Sequence, residues 1–231
     1  MPNTLGLDDD LDPVEAVFSL EKAFALDISD AEAEACTTVG DIFDLLETRF
    51  AARMGEPGSC MTSMAFYRLR RALQAMRPDL DCRPDTPLAI YAGRNARGFL
   101  NQLRRRSAMH MPGPRGRWLG AGGGLLAVVS LVGLIVAATQ GAMIQCGVTI
   151  ALMVFGAALI RLDPGALPAG CATVGDLAIK AGALNYGSLA SAGGAVRAKD
   201  LWDAMAQVLA EHSDLPASAM RRDTLILQSA A

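Results

Sequence analysis

Histidine is nearly missing from these 231 residues, with only His110 and His212, and the five cysteines at 36, 60, 82, 146 and 171 form no C-x-x-C pair. Ligand spacing for a metal is therefore lacking, and an odd, scattered set of thiols cannot organise a disulfide framework, so small buried or reduced cysteines are expected. Aromatic residues make up 5% of the chain, too few for a base-stacking platform, and nucleic acid is not an expected partner. The chemical constellations of enzymes are lacking too. No nucleophile has an evident base, and the glycine run at 120–124 lacks the Lys and Ser/Thr that follow in a phosphate loop. Asp8, Asp9, Asp10 and Asp12 lack the spacing, glycine and terminal glutamate of a cation loop. The expectation is a non-enzymatic protein with no catalytic residues, no metal and no cofactor.

Two long apolar runs, 118–138 and 142–160, are present, separated only by Thr139, Gln140 and Gly141, and none of the 43 residues from 118 to 160 is charged. A bilayer core about 30 Å thick is crossed by about 20 apolar residues in a helix, whose backbone groups are satisfied internally. The reading is a transmembrane hairpin with both chain ends on one face. Arg104, Arg105, Arg106, Arg115, Arg117 and Arg161 flank the runs while the turn has no basic residue. The positive-inside rule then expects an integral membrane protein of two spans with both termini cytoplasmic. The glycines at 120–124 are expected to allow close helix packing.

Charge is segregated. Residues 1–50 hold 13 acidic against 2 basic side chains, 51–117 hold 4 against 13, and the remainder 7 against 6. The basic stretch reads as a collar attracted to anionic lipid.

Within residues 12–50 three short helices announce themselves. Asp12, Pro13 and Glu15 form one start signal, with Val14, Val17, Phe18 and Phe24 expected as a buried face; Ser29 with Glu32 and Thr38 with Asp41 are two capping boxes. Val39, Ile42, Leu45 and Leu46 stripe the third helix, and three such helices need a further partner to close a core.

The stretch LGLDDDLDPVEAVFSLEKAFALDISDAEAEACTTVGDIFDLL, residues 5–46, resembles the second half of an acyl carrier protein, helices two to four. In that family a Leu-Gly-x-Asp-Ser-Leu signature opens an acidic recognition helix and its serine carries phosphopantetheine. Here Leu5, Gly6 and Leu7 precede Asp9, Asp10, Leu11 and Asp12, and Asp10 occupies the serine position. The resemblance thus implies docking of protein partners through Asp9, Asp10, Asp12, Glu15 and Glu21, without the cofactor, because a carboxylate cannot form the phosphodiester. Residues 199–227 (KDLWDAMAQVLAEHSDLPASAMRRDTLIL) resemble helix one of the same family, with Leu201, Trp202, Met205, Val208 and Leu209 as its apolar face. Helix one therefore stands at the opposite end of the chain, as in a circular permutation.

Cys36-Thr37-Thr38-Val39-Gly40-Asp41 recurs as Cys171-Ala172-Thr173-Val174-Gly175-Asp176. Residues 62–77 form a basic amphipathic helix, 83–88 a loop and 95–106 another helix, an order that faintly resembles a second carrier-like unit. The expected architecture is all-α: a small carrier-like bundle built from both chain ends plus a two-helix transmembrane hairpin. Its parts are an acidic module at 1–50, a basic helical segment at 51–117, the hairpin at 118–160, a capped helix with a Gly/Ala/Ser linker at 161–198, and the returning helix with its loop at 199–231. The function implied is a membrane-anchored, acyl-carrier-like adaptor that docks enzymes of acyl or lipid metabolism. Alternatives are a working carrier with an unrecognised attachment site, or a small membrane protein organising oligomers or lipid contact. Partners expected are membrane lipid, docked proteins and a homo-oligomer.

Overall fold

A computed structural model describes residues 3–7, 12–116, 118–139, 143–213 and 215–227. Among them are eleven α-helices and two short strands, so the all-α expectation holds. The chain divides into two compact units, one comprising Met1–Thr86, Arg104–Pro112 and Thr173–Ala231, the other Pro87–Leu103 and Gly113–Ala172.

The first unit joins the two ends of the chain. Strand β1 (Thr4–Leu7) runs parallel to β2 (Leu225–Leu227), and the Leu225 amide donates to the Asn3 carbonyl at 2.9 Å. Helices α1 (Asp12–Phe24), α2 (Asp30–Ala35) and α3 (Val39–Phe50) follow β1. Ser29 with Glu32 and Thr38 with Asp41 form the expected capping boxes. The missing packing partner is α11 (Ala198–Leu209), which lies against both α1 and α3. Its Leu201, Met205, Val208 and Leu209 are fully buried, and Trp202 meets Phe43 of α3 edge to face, with ring centroids 5.3 Å apart. Such aromatic pairs add about 1 kcal/mol beyond the area they remove from water.

One expectation about α1 is corrected. Phe24 is buried as expected, but Val14 and Phe18 are not core residues; they are 66% and 64% exposed, and Ala16, Leu20 and Ala23 join Phe24 on the core face instead. Both sets follow helical spacing, so periodicity marks an apolar side of α1 without telling its packed stripe from its open one. The linker expected before residue 198 is corrected as well. Its Asn185–Gly194 portion contains a buried helix, α10 (Tyr186–Ser191). A Cβ at Gly187 would stand 1.9 Å from the Phe24 carbonyl oxygen, so glycine here permits backbone to touch backbone. Tyr186 then meets Phe24 at a tilt and Phe50 edge to face, at centroid distances of 5.3 and 5.6 Å.

Helices α4 (Met61–Met76) and α9 (Val174–Ala183) pack together in the same unit. Thr173 and Asp176 cap α9 as Thr38 and Asp41 cap α3, and the likeness extends to the loops on which the two caps rest. Val39 N–H donates to the Thr224 carbonyl at 2.9 Å and Gly40 N–H to Arg222 at 2.9 Å. Correspondingly, Val174 N–H donates to Thr86 at 3.0 Å and Gly175 N–H to Pro84 at 2.7 Å. Inside the loops, the Arg221 amide donates to Thr224 Oγ1 at 3.0 Å and the Arg83 amide to Thr86 Oγ1 at 2.9 Å. In the second unit the Leu88 amide donates to Ala172 at 2.9 Å, matching the 3.1 Å bond from Ile226 to Thr37 in the first. The sequence pair CTTVGD and CATVGD is thus a pair of equivalent helix starts, each seated on a loop, RRDTLI or RPDTPL.

The second unit contains α5 (Ala89–Ala92), the start of α6 (Ala96–Ser107), and the hairpin helices α7 (Trp118–Thr139) and α8 (Met143–Leu162). Gly123 and Gly156 interlock: a Cβ on either would come within 2.7–2.8 Å of the other's carbonyl oxygen. Small residues here let the two helix backbones approach closely. Ser130 and Thr149 return their hydroxyls to carbonyls of their own helices, at 2.6 Å to Leu126 and 3.0 Å to Gln145, which satisfies these two hydroxyls within the helix. In α8, Gln145–Leu162 is long and apolar enough to cross a membrane; the described part of α7 supplies a shorter apolar stretch, Gly122–Val136. Of the expected turn, Gln140 and Gly141 lie outside the described residues.

Candidate functional site

An apolar cleft of about 640 Å³ opens in the first unit beside α1, with walls from α2, α3, the end of α11 and β2. Its floor includes Leu20, Ile28 and Ile42, which are buried, and its lip is the exposed pair Val14 and Phe18. The connection from α1 to α2 shapes one wall. There Glu21 Oε1 accepts the Ile28 amide at 2.7 Å, so this carboxylate holds the loop as well as contributing charge. Asp27, Asp30 and Glu34 stand on the rim with it. The site is a greasy cleft under an acidic margin.

Of the residues expected to dock partners, Glu15 is exposed on α1 and Glu21 is half-buried at the rim. Asp9 and Asp10 lie outside the described residues, as does the side chain of Asp12. Cys36 also lines the cleft, and burial, with Asp41 and Glu32 nearby, pushes its thiol up. It is held as a neutral thiol and is a poor nucleophile. Cys60 is the opposite case. It is exposed at the start of α4, and the backbone amides of Ser63 and Thr62 hold its thiol below the usual range.

A contact that spacing could not disclose joins Ser19 of α1 to His212 beyond α11, Oγ to Nε2 at 2.8 Å. The two residues are 193 positions apart, so only the folded proximity of the chain ends brings them together. A hydroxyl at this distance from an imidazole is the start of a nucleophile and base pair, but a third group must orient the ring and a cavity must admit substrate. Among the described residues no carboxylate contacts the His212 ring through a hydrogen bond, and neither residue lines the cleft. The pair ties α1 to the end of α11. Likewise, no cluster of three or more His, Cys, Asp or Glu side chains suited to a metal occurs among the described residues.

Forty-four residues of this chain, 19% of it, are 52% identical to an acyl carrier protein of Syntrophobacter fumaroxidans (strain DSM 10017 / MPOB). The chain contains a carrier-like region. That stretch covers 54% of the relative, so the chain spans about half the length of the curated protein it matches. No protein-family model matches the chain, and no solved structure matches it. The carrier-like reading of the residues and the similarity therefore agree that a carrier-like region is present.

Proposed function

We propose that this is a non-enzymatic, membrane-anchored carrier-like adaptor, permuted so that helix one is supplied by α11, which docks protein partners through α1. The observation that carries the reading is the exposed apolar pair Val14 and Phe18 at the mouth of a 640 Å³ cleft, bordered by carboxylates. Exposed apolar residues that line a cavity and are rimmed by charge are a binding surface rather than scattered surface residues. The partners fitting it present a basic face around an apolar knob, as enzymes of acyl or lipid metabolism would in meeting a carrier. Asp10 stands where the family attaches phosphopantetheine, so this adaptor docks without carrying a covalent acyl group.

The anchor in this reading is the α7–α8 hairpin. Large side chains such as Leu125, Val128, Ile135, Val154 and Phe155 stand exposed along it, and hydrocarbon is the solvent that suits them. Two spans, with both chain ends on the side of the flanking arginines, follow from the three-residue connection. The matched loops under α3 and α9 support a further element: α4, loop 83–88 and α9 are a second, degenerate carrier-like unit into which the hairpin is inserted.

The test is affinity capture from a membrane extract with the full-length chain, compared with Val14→Asp/Phe18→Asp and Glu15→Lys/Glu21→Lys variants. Specific recovery of acyl-metabolism enzymes, lost in both variants, is expected; recovery indifferent to both would end the docking proposal. Intact-mass measurement after co-expression with a phosphopantetheinyl transferase distinguishes the alternative of a working carrier. A mass increase by one phosphopantetheine would overturn the adaptor reading in favour of that alternative.

A further inference from the structure

The basic segment carries a second surface unrelated to the cleft. Arg68 and Arg71 sit one turn apart on α4, and Arg106 reaches them from the last turn of α6; together with Ala72, Ala75 and Ala108 they line a groove of about 490 Å³. Arg106 is fixed in place by donating from Nη1 to the Ala75 carbonyl at 3.4 Å, near the end of α4. Ala108 adopts a φ of 52°, a left-handed conformation that a non-glycine residue takes when its surroundings impose it, and it turns the chain directly after α6 to complete the wall. The alanines keep the floor shallow and leave room between the cations.

Some arginines are neutralised by carboxylates while others, such as Arg70 and Arg94, stand outside the ion pairs of the described residues; what sets Arg68, Arg71 and Arg106 apart is that they line one groove. Arg49 pairs with Glu32, Arg77 with Asp79, Arg83 with Asp81, and Arg222 with Asp44. Residues 51–117 hold only four carboxylates, and two of them are taken by Arg77 and Arg83. Among the described residues none of the ion pairs involves Arg68, Arg71 or Arg106, and no carboxylate lines the groove. Three arginine side chains lining one groove without a carboxylate concentrate positive charge there, and a multiply charged oxyanion would offset it while accepting several of their donors.

We propose that this groove binds a phosphate-bearing anion, with Arg68 and Arg71 gripping it from α4 and Arg106 from α6. The phosphate is that of a lipid headgroup or of a soluble phosphate compound. The proposal does not depend on the docking function of α1. Calorimetric titration of the full-length chain in an uncharged detergent, with inorganic phosphate in one arm and short-chain phosphatidic acid in the other, tests it. Binding in both arms identifies the phosphate itself as the ligand, and binding only of the lipid identifies a headgroup site. In either case Arg68→Gln/Arg71→Gln should weaken binding by about a hundredfold, Arg106→Gln by about tenfold, and the exposed control Arg94→Gln by less than twofold. The single Arg71→Gln variant, at a position exposed on α4, guards against misfolding of the others and should cost about tenfold. The proposal fails if neither probe binds, if binding survives the double variant, or if Arg94→Gln loses as much. It also fails if the groove variants only abolish self-association through the acidic module.

Discussion

Replacing a helix glycine by alanine ordinarily stabilises a protein, by up to about 1 kcal/mol, and at Gly40 and Gly175 the opposite sign is expected. Each glycine opens a helix that is seated on a loop carbonyl. An added Cβ would stand 2.7 Å from Arg222 O in the first case and 2.9 Å from Pro84 O in the second. Those atoms are backbone, so no rotamer change relieves the overlap. The loop must retreat, and the bonds from Gly40 to Arg222 and from Val39 to Thr224, or from Gly175 to Pro84 and Val174 to Thr86, stretch with it. Losing two bonds of about 1 kcal/mol each, with part of the cost of leaving donors unpaired, outweighs the helix gain. The net expectation is about 1–2 kcal/mol of destabilisation at either site, and an additive loss in the double variant, because the two loops are separate. Guanidinium unfolding of the full-length chain in detergent, followed by far-ultraviolet circular dichroism, measures it; hydrogen exchange at residues 39–40 and 174–175 localises it. An unchanged or raised midpoint in either variant would refute the equivalence of the two helix starts.

Trp202→Ala removes the edge-to-face contact with Phe43 and should cost about 2–3 kcal/mol in the same unfolding assay, loosening α11 while leaving the hairpin intact. The Asp41 carboxyl is held below its ordinary 3.8, chiefly by the Thr38 and Thr37 amides. A depressed folded value gives stability that is present above 3.8 and is lost as pH falls through the folded value; acid titration of Asp41→Asn should show a flattened limb there. Cys60, exposed and with a lowered thiol, should react with iodoacetamide at neutral pH before Cys36, whose thiol is raised, as peptide mapping of a time course would reveal. Gly123→Leu should drive α7 and α8 apart, and a disulfide engineered between the helices near this contact would then fail to form.

Much of this fold is legible in local chemistry because caps are local. Ser29, Thr38 and Thr173 each declare a helix start within four residues, and the structure puts helices α2, α3 and α9 where they say. The returning helix is legible too, since its apolar stripe needs a partner and α1 to α3 lack one. What the pattern could not resolve is which apolar stripe of α1 is packed. Val14 and Phe18 have the spacing of core residues, but the decision depends on how α11 approaches, a contact across almost 200 positions of chain. The buried α10 hid for a related reason. Its glycines and serines read as linker, whereas Gly187 is there so that the Phe24 backbone can touch it, and small residues look alike whether they serve flexibility or closeness. The sequence shows the arginine groove only as a basic helix, because Arg106 joins Arg68 and Arg71 as lining residues from a different helix rather than through one periodic face.

The order of the elements makes the proposed permutation simpler than it first looks. In the proposed reading α1, α2 and α3 stand for helices two, three and four of one carrier-like repeat, α4 and α9 for helices one and four of another, and α11 for a helix one again, in the observed order of the elements. That is the order of a tandem repeat read out of frame by one helix. No strand or helix has to be moved past another to produce it; α11 only has to pack on α1 and α3, where it is found. The hairpin would then occupy the stretch between helices one and four of the proposed second repeat, where a carrier would place its recognition helix, and that repeat would give up docking to hold the anchor. The proposed first repeat would keep the acidic α1 and its cleft. On this reasoning the two halves have divided the work, one facing partners and one facing the membrane. Substitutions at Val14 and Phe18 should therefore alter capture of partners without altering membrane retention, whereas charged residues introduced at Val128 or Val154 should do the reverse.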